Sequence, residues 1–141
     1  MATATMDLQQ SLAAFNADVR TWANTVPPER LLLAHRKLAL EALSRVVKRT
    51  PVDTGRARGN WQASIESEVD AEIPAAVAEK RGAGAITAEA LTVTKALQPY
   101  GVVFIQNNVP YILPLEDGHS AQARAGMVRP TVLELRQSLF Q

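Results

Sequence analysis

The chain contains no cysteine, which excludes disulfide bridges and thiolate metal sites. Aromatic residues make up only 5% of it, too few for the stacking platform on which single-stranded nucleic acids are held. Neither sign of charge predominates. Lys and Arg total 15 against 14 for Asp and Glu, a formal net charge of +1. That balance argues against a general nucleic-acid binder, which carries a basic domain, while leaving room for a local basic patch. No apolar run approaches the length of a membrane span. The opening residues lack the basic region and apolar segment of a secretory signal, so a soluble protein made in the cytoplasm is expected. Internal repeats and low-complexity tracts are missing too. What remains is a chain of 141 residues, 47% of them apolar. That is ample for one core, and the simplest organisation is a single domain, 1–141.

The stretch from Leu31 to Trp61 organises this domain. On a helical wheel, Leu31, Leu32, His35, Leu38, Ala39, Ala42, Leu43 and Val46 fall on one broad arc. Leu33, Leu40 and Val47 widen it, Arg36 interrupts it, and Lys37, Glu41, Ser44 and Lys48 lie opposite. A surface helix needs a stripe of roughly 100°, and this one spends about twice that, so contact with a second subunit is expected through Leu33, Leu40 and Val47. Pro51 ends the helix by disfavouring helical geometry at Thr50, and Lys48 and Arg49 suit the negative end of its dipole. Asp53, Thr54 and Gly55 are turn residues, with positive φ expected at Gly55 and side-chain to backbone bonds at Asp53 and Thr54. After the turn, Trp61, Ala63 and Ile65 alternate with polar residues as in a half-buried strand.

Elsewhere, Met1 to Thr5 reads as a loose terminus. Leu8, Leu12, Phe15, Val19 and Trp22 form a narrow stripe on a first helix, with Asp7 at its start. Pro28-Glu29 opens the long helix. Pro74 and the Ala/Gly-rich run after it make 74–85 a mobile loop. Ile86, Ala90, Val93 and Leu97 recur at helical spacing. Val102 to Ile105 is apolar on both faces and reads as an interior strand. Asn107-Asn108 supplies a turn, and Tyr111 to Glu116 reads as the returning edge strand of a hairpin closed by Asp117-Gly118. Pro130 opens a last helix carrying Val128, Val132, Leu135 and Leu139. The expected architecture is α+β, a small antiparallel sheet packed with about four helices.

Signals of chemistry are sparse. His119 lies beside Glu116, Asp117 and Ser120, which suggests a metal site or a Ser/His pair. Catalysis needs groups that converge in a pocket, which neighbours in one loop rarely do. An enzyme centred on His119 therefore ranks last. His35, within an apolar arc, reads as a buried or interface histidine. Asp53-Thr54-Gly55-Arg56 lacks the glycine spacing and the Lys-Ser/Thr of a phosphate loop. Lys48, Arg49, Arg56 and Arg58 form a local basic cluster, a solvated or salt-bridged face in the simplest reading. The alternative is an accessory nucleic-acid binder that uses this cluster on phosphates.

Two blocks of residues resemble a known family. The first is Pro51-Val52-Asp53-Thr54-Gly55 followed by Arg56, Arg58, Asn60 and Trp61. The second is Ile105-Gln106-Asn107-Asn108-Val109-Pro110-Tyr111, then Leu115-Glu116-Asp117-Gly118-His119-Ser120, Gln122-Ala123 and Gly126-Met127-Val128. In this order they resemble the gene-product-ten-like tail-component family of tailed phages, the neck or tail-completion proteins, over roughly residues 30 to 130. One departure is Arg124, where many relatives carry proline, which bears on the local loop conformation. The resemblance implies a non-enzymatic virion protein of the head-to-tail junction. It would form a six- or twelve-fold ring between head-connector and tail-terminator proteins, with genomic DNA passing through the lumen without sequence-specific contact. It brings no catalytic residue, cofactor, metal or membrane association. In that setting Glu116, His119 and Gln122 would contact another subunit or ring, and Lys48, Arg49, Arg56 and Arg58 could face the DNA channel.

Overall fold

The computed structural model describes residues 7–140; the terminus expected to be loose, 1–5, lies outside them. Helix α1 runs Leu8–Ala23 and α2 runs Pro28–Arg49. A single 3-10 turn, Arg58–Asn60, leads into strand β1, Trp61–Ile65. Then come α3 (Ala75–Ala78), α4 (Ala83–Thr94), β2 (Val103–Asn107), α5 (Ile112–Glu116), a second 3-10 turn (Ala121–Ala123) and α6 (Val128–Phe140). The fold is α+β, as expected: β1 and β2 form an antiparallel pair running from Trp61↔Asn107 to Ile65↔Val103. Four helices, α1, α2, α4 and α6, carry 12 or more residues each, while α3 and α5 have 4 and 5.

Local chemistry explains the long helices. Asp7 accepts from the Gln10 amide at 2.7 Å and its own amide donates to the Gln10 side chain at 3.3 Å. This reciprocal capping box sets the start of α1. Pro28 occupies the first turn of α2, where no amide partner is needed. Thr50, extended before Pro51, stops α2, and its hydroxyl bonds back to the Val46 carbonyl at 2.6 Å. The Trp61 indole N–H then donates to that same hydroxyl at 2.6 Å. The end of α2 and the start of β1 are thereby locked together, and the core gathers there: Leu43, Val46 and Val47 of α2, Trp61, Ile86 and Ala90 of α4, Ala123 and Met127.

The second half departs from expectation. Tyr111 to Glu116 is not a returning strand; most of it is the short helix α5. Pro114, read as an edge-strand marker, falls in the first turn of that helix, where a missing N–H costs nothing. No hairpin forms at Asn107-Asn108, because β2 pairs with β1. The Asn107 side-chain amide instead donates to the Ala57 carbonyl at 2.7 Å, and the Asn108 side chain donates to the carbonyls of Val69 at 2.6 Å and Ala71 at 3.1 Å. Nor is Val102 to Ile105 covered on both sides: β2 is half-buried throughout and Val102, just before it, is exposed. A two-stranded sheet has no interior strand. The segment 74–85 holds α3 and the first turn of α4, with Ala78 fully buried. Its alanines act as helix formers there.

Candidate functional site

The two sequence blocks meet on one side of the molecule. Gly55 adopts φ +93°, as its place in the turn predicts, and the Thr54 hydroxyl accepts from the Arg56 amide at 3.2 Å. Asp53 does not behave as predicted: it is exposed and makes no backbone bond. Four residues on, Gly59 packs so closely on α3 that a Cβ there would lie 1.8 Å from the Ala78 carbonyl oxygen. Asn60, fully buried, donates to the Arg56 carbonyl at 2.9 Å and the Ile73 carbonyl at 3.2 Å, and accepts from the Ile73 amide at 2.7 Å. The buried Arg81 guanidinium donates to the Gly59 and Trp61 carbonyls and pairs with Glu89.

The second block is organised by Glu116, which is 3% exposed. One carboxylate oxygen accepts from the amides of Met127 at 2.9 Å and Val128 at 2.8 Å, and the other from the amide of Arg129 at 3.1 Å. A carboxylate from α5 thus caps the start of α6, where unpaired amides and the helix dipole favour a negative charge. Arg129 completes the clasp, donating to the Glu116 carbonyl at 3.0 Å and to Asp117 at 3.3 Å. Gly126, at φ +85°, lets the chain pass this carboxylate; a Cβ there would lie 2.5 Å from it. The assignment of Glu116 to a subunit interface is therefore corrected, since its oxygens are spent inside the chain.

The blocks are joined directly. The Gln122 side-chain oxygen accepts from the Val52 amide at 3.0 Å. The Arg56 guanidinium lies 5.5 Å from the centre of the Tyr111 ring and pairs with Glu72 at 2.6 Å and 2.9 Å. Around this junction Asp53, Thr54, His119, Gln122 and Arg124 form an exposed polar rim. The groups beside His119 are engaged elsewhere, Asp117 by Arg129 and the Ser120 hydroxyl by the Gln122 amide at 3.2 Å. Among the described residues, no group of three His, Asp or Glu side chains could hold a metal ion.

The remaining sequence candidates scatter. Arg49 donates to the Thr131 hydroxyl at 2.8 Å and pairs with Glu134 of α6. That hydrogen bond, seconded by Arg45 at 2.8 Å, holds the Glu134 carboxyl below its ordinary pKa. Arg56 is occupied by Glu72, Arg58 is half-buried, and Lys48 alone of the four is exposed. The basic cluster is thus not one free phosphate-binding patch. Of the apolar interface candidates, Leu33 is 66% exposed, Leu40 packs against the core, and Val47 is 2% exposed. Val47 is a core residue, a correction that follows from Trp61 and α4 covering that side of α2. His35 lines an apolar crevice beneath α1, where burial lowers its pKa. Gly59, Arg81 and Arg129 were not singled out in the sequence, and Gly126 only as part of the second block, because each matters through groups distant along the chain. No family model, curated protein or solved structure matches this chain.

Proposed function

We propose that this protein is a structural component of a tailed-phage head-to-tail junction, assembling as a ring between the head connector and the tail. One observation carries the reading. The two blocks that resemble the neck-protein family, some fifty residues apart, pack into a single brace through Gln122 and Val52, Asn107 and Ala57, and Arg56 and Tyr111. Asn60, Asn107, Glu116 and Gln122 of those blocks are spent on holding the chain rather than on a converging reactive array. A rigid scaffold with an exposed loop rim suits a protein whose work is contact. Large apolar side chains stand exposed on different helices, Leu33 on α2, Leu113 on α5 and Leu133 on α6. Ring closure by a head-to-tail interface needs such unlike patches, because one surface of each copy meets a different surface of the next. His119, Gln122 and Leu33 are the contact residues of choice.

The test is deletion of the gene from the genome that encodes it, followed by electron microscopy of the particles released. Filled heads and finished tails that fail to join are expected, with joining restored by the wild-type protein supplied in trans. Tailed, infectious particles at wild-type yield without the protein would overturn the proposal.

A further inference from the structure

Arg58 is held in the fold without an acceptor, and among the described residues no other half-buried or buried arginine is. Arg36 bonds carbonyls at the end of α4 and just after it. Arg45 and Arg49 share Glu134, Arg56 takes Glu72, and Arg81 takes Glu89. Arg129 takes Asp117 and Arg136 takes Asp18. Arg58 makes no hydrogen bond or ion pair with any described residue, and its Nε is buried with no acceptor. The Nε of Arg56 is idle too, but its Nη2 is held twice by Glu72. The chain thus bears the cost of an enclosed donor at Arg58 and gains no internal bond from that guanidinium.

The mount of this side chain is rigid. Arg58 opens the 3-10 turn between Gly55 and β1, and Ala57, Gly59 and Asn60 around it are all buried. Gly59 is fixed by the close approach of Ala78, and Asn60 by its three bonds. The Arg58 Nη2 lies beside Gly55, 3.8 Å from where a Cβ there would sit. The fork therefore stands next to the exposed Asp53 and Thr54 of the polar rim, its two Nη groups accessible and unspent.

Charge decides what the fork fits. A nucleic-acid backbone is held by several cations at once. Here Arg49 and Arg56 are spent inside the chain, and two exposed acids flank the fork: Asp53, and Glu79, whose backbone touches Gly55. Neither acid pairs with Arg58, and together they repel a polyanion. A single carboxylate needs only one fork and gains two parallel, charge-assisted bonds from it. Preset arginines of this kind are the anchors on which protein contacts depend.

We propose that Arg58 is a docking anchor, receiving an Asp or Glu carboxylate from the protein chain that packs on the rim. This rests on the ring reading above and names a charged contact within it.

The test sets stability against joining. Arg58→Met keeps the apolar stem and removes the guanidinium. Purified, it should melt within about 2 °C of the wild-type protein or above it, because no internal bond is lost. A larger fall assigns Arg58 to the fold and overturns the proposal. Supplied in trans to the gene deletion, the same variant should yield fewer joined particles by about tenfold or more. Joining at the wild-type level by Arg58→Met, where the empty deletion fails to join, overturns the anchor and leaves the ring reading standing. Joining by the empty deletion overturns both. Arg58→Lys keeps a point charge without the fork and should restore joining only in part. Full restoration by lysine overturns the paired carboxylate and fits a phosphate contact instead. Revertants of Arg58→Glu should carry an acidic residue changed to Lys or Arg in this protein or in one that joins it. Revertants in which no acidic residue has changed overturn the carboxylate partner.

Discussion

α1 and the segment from Glu116 to Met127 make an instructive pair. The first has the more regular apolar pattern, five large side chains at helical spacing, and none of its residues is buried. The second is polar and rich in small residues, and Glu116, Ala123, Gly126 and Met127 within it are all buried. Apolar periodicity tells which side of a helix prefers cover; it does not supply the cover. Burial in the loop is achieved because every buried polar group there finds a partner. The Glu116 carboxylate serves three backbone amides, and Gly126 gives the backbone room to approach it.

This contrast can be broken by substitution. The largest effect is expected at Gly59, where an added Cβ collides with backbone rather than with a yielding side chain. Gly59→Ala should cost about 4 kcal/mol or more in denaturant unfolding, since α3 must move away from the turn. A loss below about 1 kcal/mol would mean that the α3 contact is dispensable. Next comes Glu116→Ala, which leaves amides at the head of α6 unpaired and should cost about 2–4 kcal/mol. Glu116→Gln keeps acceptor oxygen and should recover part of that. Equal losses in the two variants would show that charge, not hydrogen bonding, holds the cap.

A smaller cost, about 1 kcal/mol or somewhat more, is expected for Gly55→Ala. Its φ of +93° strains any residue with a Cβ, although the space around it is adequate. Thermal unfolding of the variant measures this. On the α1 side of the comparison, Leu12→Ala should cost the monomer less than about 1 kcal/mol, because Leu12 is already 37% exposed. A loss typical of a core leucine, about 2–5 kcal/mol, would show that α1 is as tightly held as the brace.

The smallest effect concerns pH. Burial at the crevice wall lowers the His35 pKa, so between the folded and unfolded values the unfolded chain binds more protons. Stability from neutral His35 is fully present above the unfolded value of about 6.5 and declines as pH falls below it, toward the folded value. His35→Gln should flatten the stability profile on the acid side of about pH 6.5. An unchanged slope would assign the acid sensitivity to other groups.

The misreading of Tyr111 to Glu116 has a specific cause. Pro114 in an apolar run is compatible with an edge strand and with the first turn of a helix, and local pattern does not separate them. The choice was made by β1, which took up β2 as its partner and left 111–116 to fold on itself. The same lesson holds for Glu116. Its polar side chain at the end of an expected edge strand suggested a contact surface, whereas its partners are amides 11 to 13 residues later. Residue type marks a carboxylate that needs donors but does not say which ones it will find.

By itself the sequence determined what is settled within a turn or two of chain. The span of α2, the capped start of α1, positive φ at Gly55 and the alternation through Trp61 and Ala63 all depend on neighbours close in sequence. The tertiary structure alone decided the pairing of β1 with β2, the helical state of α5, the capping of α6 by Glu116, the requirement for glycine at position 59 and the shallow seat of α1. Each of these is set by a group brought near from a distant part of the chain. Hydrogen bonds and close packing act over a few ångströms in space, with no regard to how far apart the partners lie along the sequence.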